Sequence, residues 1–108
     1  MSIMSMEQRA LQFWAVLALC ATHRQVITYH TLHRLTGEAS PGIGAVLEKL
    51  QRYCLAKSLP PLTVLVVQEG TGLPGPGFTA ETDIPLAQTK VFGFDWIVRG
   101  YPDVSELS

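Results

Sequence analysis

Charge is scarce in this chain: only 16% of its 108 residues are Asp, Glu, Lys or Arg, against roughly 25% in an average soluble domain. The formal net charge is −1, which excludes a strongly basic nucleic-acid binder, whose affinity rests on neutralised phosphates. Cysteine is nearly absent. Cys20 and Cys54 form no CxxC pair and sit inside apolar helical patterns, so free buried thiols are expected rather than a disulfide framework. Long apolar runs are missing too. Residues 13–21 form an unbroken one, far short of the roughly 20 residues that span a bilayer. Before it stand Glu7 and Arg9, with no net positive charge, and Leu19 occupies the place where a lipoprotein cleavage box wants a small residue. The run reads as a buried helix of a soluble, cytoplasmic protein with no membrane partner.

Catalytic patterns are missing as well. No Ser-His-Asp order, carboxylate pair or phosphate loop can be drawn, and the glycine-rich stretch from Gly70 to Gly77 lacks a Gly-Lys-Ser/Thr ending. His30 and His33 stand three apart on a predicted helix, two ligands where a metal needs three or four to converge. No enzyme, metal site or cofactor is expected.

What is present is apolar bulk, 47% of the chain. That length and composition fit a single domain with one hydrophobic core. Low surface charge also points to surface covered by a partner protein or by a second copy, as in a homodimer. The charge is unevenly divided: residues 1–57 hold six basic and three acidic side chains, a net of +3, and residues 58–108 hold two and six, a net of −4. Such asymmetry points to an anionic partner for the first half, although scattered surface charge gives the same count.

The predicted organisation is a helix-turn-helix-like core over about 6–68, a Pro/Gly loop over 69–78, a packing segment over 79–100 and a loose tail over 101–108. The first helix runs from Met6 to about His23. Leu19 falls on its polar side, so cover from more than one direction is expected. Val26-Ile27 is a β-branched link. Thr28 then caps a second helix from Tyr29 to about Leu35, ended by Gly37. Ser40-Pro41 starts the third, with Ser40 as N-cap and Pro41 in its first turn. Ile43, Val46, Leu47, Leu50 and Cys54 face inward along it and Ala45, Glu48, Lys49 and Arg52 outward. Pro60-Pro61 ends it.

Leu62 to Val67 is the strongest strand pattern, its near-continuous apolarity fitting burial on both faces. Residues 69–72 read as a turn, and Leu73 to Phe78 are too rich in Pro and Gly for a central strand. Beyond Asp83 two patterns compete. Asp83, Pro85, Ala87, Val91 and Phe94 fit a helix, while Phe92, Phe94 and Trp96 fit a strand. The favoured reading is a helix from about Ile84 to Phe92, then an extended anchor. The fold class is α+β: a three-helix, winged-helix-like first half, a short sheet, and a C-terminal helical or extended segment.

Ile27-Thr28-Tyr29, Leu32, Leu35-Thr36-Gly37, Gly42 to Leu47, Leu59-Pro60, Val66-Val67 and Gly70 stand in an order that resembles the DNA-binding half of the alkylguanine DNA alkyltransferases and their non-catalytic alkyltransferase-like relatives. The resemblance covers roughly residues 26–72. It implies a winged-helix scaffold with the third helix as recognition helix. The family's active loop reads Pro-Cys-His-Arg, or Pro-Trp-His-Arg in the alkyltransferase-like branch; here it reads Pro60-Pro61-Leu62-Thr63. Alkyl transfer needs a thiolate activated by a neighbouring base, and neither is present. Gly42-Ile43-Gly44 likewise lacks the arginine that fills the space of a flipped base in that family.

Two functional readings follow. In the first, the chain is a non-enzymatic winged-helix-like DNA-binding or accessory protein. The end of the third helix at Ser40, Gly42, Gly44 and Ala45 then approaches duplex DNA, Lys49 and Arg52 reach its backbone, and the resemblance adds Tyr29, with His33 and Arg34 nearby. In the second it is a small protein-binding adaptor or inhibitor, its surface rimmed by Leu73, Phe78, Phe92, Trp96 and Tyr101. Core packing of those aromatics is the competing expectation.

Overall fold

The computed structural model describes residues 4–107, apart from the side chain of Ser40. Helix α1 (Met6–Thr22) is followed by strand β1 (Ile27–Thr28), helices α2 (Tyr29–Thr36) and α3 (Ser40–Ala56), strand β2 (Val66–Val67), and helices α4 (Ile84–Phe92) and α5 (Trp96–Arg99). Two 3-10 turns, Leu62–Leu65 and Val104–Leu107, complete the path. The chain is thus an α+β domain of five α-helices and a two-stranded parallel sheet among the described residues.

Local chemistry accounts for most boundaries. Ser5 opens α1 with a capping box: its hydroxyl accepts from the Gln8 amide, and its own amide donates to the Gln8 side chain. The Thr28 hydroxyl accepts from the Thr31 amide to start α2, and Gly37, at φ +79°, takes the left-handed turn that ends it. Asp83 caps α4, with Pro85 in the first turn. One cap differs from expectation. The N-cap of α3 is Ala39, which has no side chain to offer, and Ser40 is already helical. Pro41 still falls in the first turn, where a missing N–H is no loss.

The segment from Leu62 departs from the expected long strand. Only Val66 and Val67 pair, in parallel with Ile27 and Thr28, while Leu62–Leu65 coil into a 3-10 turn. Apolarity reported burial correctly, since Leu62, Val64, Leu65, Val66 and Val67 are all buried. It could not report extension: β1 offers only two residues to pair with, and the 3-10 turn instead packs its side chains on α1, α3 and α4. Beyond β2, Val67 bridges back to Pro74 across a tight turn at residues 68–73.

Helix α1 is central, touching α3, α4, α5 and both 3-10 turns. Trp14 stands edge-on to both Tyr53 and Trp96, each with ring centroids 5.5 Å apart. Phe13, Leu17, Leu32, Ile43, Leu50 and Leu65 close the core around them. Leu19, expected to be covered, is exposed; among the described residues no element lies over that side of α1.

The C-terminal segment corrects two expectations. Asp95 caps a short helix, α5, where an extended anchor was expected. The tail is not loose over residues 102–107, the described part beyond Tyr101: Leu107 is buried against α1 and α3, and Glu106 bonds to Lys57 at 2.8 Å. The seating of the terminal turn depends on contacts with distant residues.

Candidate nucleic-acid interface

Helices α2 and α3 meet through the short turn at residues 37–39. On α3 the exposed side carries Pro41, Gly44, Ala45, Glu48 and Arg52, at helical spacing, with Lys49 half-buried beside them. Gly44 and Ala45 leave that stripe almost without side-chain bulk. Arg52 and Lys49 have no ion-pair partner among the described residues, and Glu48, which precedes Lys49, puts one negative charge next to them in sequence. On α2, His33 and Arg34 are exposed. The His33 ring reaches the Glu38 carbonyl with Nδ1 at 2.7 Å. A carbonyl only accepts, so Nδ1 carries the proton.

The chain's own carboxylates stand at the N-terminal ends of both helices. Glu69, on the turn after β2, accepts the His30 amide at 2.8 Å in the first turn of α2. That amide, followed by its own backbone N–H and the Thr28 hydroxyl, holds the Glu69 carboxyl below its ordinary range. Glu38 lies against Gly42 in the first turn of α3 and is paired with Arg9 at 3.2 Å. Arg9 also donates to the Thr36 carbonyl and to Gln12. A phosphate at the start of α3, the role expected of Ser40 and Gly42, therefore meets a carboxylate already in place. The Ser40 side chain itself lies outside the described residues.

Tyr29 is half-buried rather than free. Its hydroxyl is held by the Gly75 amide, and burial raises its pKa above the ordinary tyrosine value. Together with Gly44 and Arg52 it lines a groove of about 910 Å³ between α3 and the Pro/Gly loop, whose other wall includes Pro74, Pro76 and Phe78. The groove thus joins three residues expected to meet DNA with one from the protein-binding set. His33, Arg34, Ala45 and Lys49 lie outside it.

The aromatic rim is not assembled as one surface. Trp96 is buried, its indole N–H donating to the Val91 carbonyl and its ring packed on Trp14 and Phe94. Satisfied on both counts, it belongs to the core. Phe92 is half-buried, Leu73 and Tyr101 are exposed, and none of the three lines the groove with Phe78.

Several residues of the site had no signal in the sequence. Gln51 ties the loop to α3: its Oε1 accepts from the Thr79 and Ala80 amides at 2.9 and 3.1 Å, and its Nε2 donates to the Gly77 carbonyl. Thr63, buried at the groove's base, has a hydroxyl with no hydrogen-bond partner among the described residues. Nothing in a lone Gln or Thr announces such roles. Cys54 is buried, and desolvation pushes its thiol up to about 11, against smaller opposing effects of the Leu62 backbone and Arg99. It is a neutral core thiol at ordinary pH.

No helix among the described residues is long and apolar enough to cross a membrane. Comparison with protein-family models, with curated proteins and with solved structures finds no match.

Proposed function

We propose that this chain is a non-enzymatic DNA-binding domain of winged-helix type, which sets the exposed stripe of α3 against duplex DNA. The order of elements supports this reading: a helix, a short strand, two helices joined by a tight turn, then a strand and a turn that bridges back on itself. The order of residues that resembles the alkyltransferase-like scaffold falls on these same elements.

The observation that carries the reading is how the charges are spent. Most acidic side chains are engaged: Glu38 with Arg9, Glu69 on α2, Glu81 with Lys90, Glu106 with Lys57, and Asp83 and Asp95 as helix caps. Lys49 and Arg52 stay unpaired among the described residues, beside a stretch of α3 whose small side chains permit close approach. The net charge of −1 thus understates how positive this face is.

An anisotropy titration of labelled duplex DNA tests it. Two phosphates neutralised by Lys49 and Arg52 give a slope of about −1.8 for log affinity against log salt, so binding weakens between low and physiological salt. Lys49→Glu with Arg52→Glu then weakens binding and flattens that slope. An affinity unchanged by both reversals refutes the assignment of this face.

One observation favours a second reading, a protein-binding adaptor or inhibitor. The groove between α3 and the Pro/Gly loop has an apolar wall of Leu47, Val66, Pro74, Pro76 and Phe78, with Glu48, Gln51, Arg52, Gln68 and Glu69 among the polar groups that line it. That reading expects a stable complex with a protein, or a homodimer, and no DNA affinity at physiological salt.

A further inference from the structure

A second, smaller cleft of about 330 Å³ opens where the C-terminal half of α3 meets the terminal 3-10 turn. Lys49, Arg52, Lys57, Tyr53 and Glu106 line it. Three of these are cations: Lys49 and Arg52 on α3, and Lys57 at its C-cap. Arg99 adds a fourth positive charge beside the cleft, its guanidinium 5.3 Å from the Tyr53 ring centroid and 5.7 Å from that of Trp14. It donates to the Tyr53 hydroxyl, which leaves the proton of that buried hydroxyl to be donated in turn.

Among the described residues that line the cleft, one carboxylate stands against these cations. Glu106 reaches Lys57 at 2.8 Å, and its other hydrogen bond, from the Asp103 amide, is internal to the terminal turn. Leu107, buried next to it, anchors that turn on the core. Glu106 therefore reaches an otherwise cationic cleft from a tethered segment. Both members of the pair are substantially exposed, 46% for the Lys57 side chain and 34% for Glu106, so water competes for both and the contact is easily exchanged.

We infer that this cleft is an oxyanion site, taking a backbone phosphate of duplex DNA between Lys49, Arg52 and Lys57, and that Glu106 is its built-in competitor. Naming the duplex as the source rests on the DNA-binding reading; the oxyanion chemistry does not. A tetrahedral oxyanion has acceptors enough for the two ammonium groups, the guanidinium and the Tyr53 hydroxyl together, where one carboxylate at the edge satisfies only Lys57. Binding shifts Lys57 from Glu106 to the phosphate and turns Glu106 out to solvent. The terminal turn thereby sets the strength of the interface without touching the stripe at Gly44 and Ala45.

The test uses the full chain, with Glu106→Gln and Lys57→Gln, in two arms. In the first, duplex DNA is titrated by anisotropy at several salt concentrations. Glu106→Gln is expected to tighten binding about two- to five-fold, the range of an exposed ion pair. Lys57→Gln is expected to weaken it and lower the salt slope by about 0.9. In the second arm, inorganic phosphate is titrated while backbone amide resonances are followed by NMR. Shifts at residues 49, 52, 57 and 106, larger in Glu106→Gln, are expected. DNA affinity indifferent to both substitutions, with phosphate still shifting those amides, overturns the duplex as the source. Indifference together with no phosphate shifts overturns the cleft and leaves DNA binding elsewhere on α3 standing. If no variant binds DNA even at low salt, the DNA reading itself fails, and the phosphate arm alone decides the cleft.

Discussion

The Tyr29 hydroxyl lies where a side chain on Gly75 would stand: a Cβ there would be 2.6 Å from the phenolic oxygen. That oxygen accepts the Gly75 amide, so the first residue of α2 is latched to the Pro/Gly loop through a position that must lack a side chain. Gly75→Ala has to push the hydroxyl away and break the bond. The expected cost is about 0.5–1.5 kcal/mol, and Tyr29→Phe, which removes the same bond, should cost a similar amount. Denaturant unfolding of both single variants and the double variant checks this: the double variant should be less destabilised than the sum of the two. Strict additivity would mean that the latch contributes nothing.

Glu48 is the exposed acid among the cations of α3. If α3 faces a phosphate backbone, Glu48→Gln removes a like charge and should raise DNA affinity at low salt, with the gain fading as salt screens it. The comparison is an anisotropy titration of wild type and variant at low and physiological salt. A gain that persists unchanged at high salt would argue for a different cause.

Acid stability should report Glu69. Its carboxyl is held below the usual value, about 4.3 in an unstructured chain, first by the His30 amide. A depressed carboxylate contributes stability that is present above the unfolded value and is lost as pH falls through the folded one. Glu69→Gln should therefore flatten the acid limb of the stability curve below about pH 4.3. Melting temperatures measured from pH 6 to pH 3 would show it, and superimposable curves would mean that Glu69 makes no pH-dependent contribution.

Cys54 should behave as a core residue. Its thiol, pushed up to about 11 by burial, is raised above the value of about 8.5 in an unfolded chain. The sign is opposite to that of Glu69: this contribution is complete below the unfolded value and disappears as pH rises through the folded one. Native protein at pH 8 should resist iodoacetamide at Cys54, and unfolded protein should react readily, as mass spectrometry of labelled peptides would reveal. Fast labelling of the native state would place the thiol in solvent.

The parts of the fold that could be read in advance are those written in neighbouring residues. Thr28 and Gly37 bound α2, Asp83 and Pro85 start α4, and the inward set Ile43, Val46, Leu47, Leu50 and Cys54 on α3 is buried throughout. Caps and helical periodicity act over three or four positions, so they survive in a linear string. Ser40 misled because it carries the right side chain one position past the actual cap, Ala39.

What tertiary structure alone decided follows from long-range satisfaction of polar groups and from packing space. The 3-10 turn at Leu62–Leu65 exists because β1 pairs with only two residues. Gln51 closes the groove by meeting backbone groups at residues 77, 79 and 80. Glu106 reaches Lys57 only because Leu107 finds room in the core. Composition and periodicity determined that the chain is a single apolar α+β unit with three helices in its first half. Which carboxylate guards which cation depended on where the chain, once packed, brings distant residues within hydrogen-bonding distance.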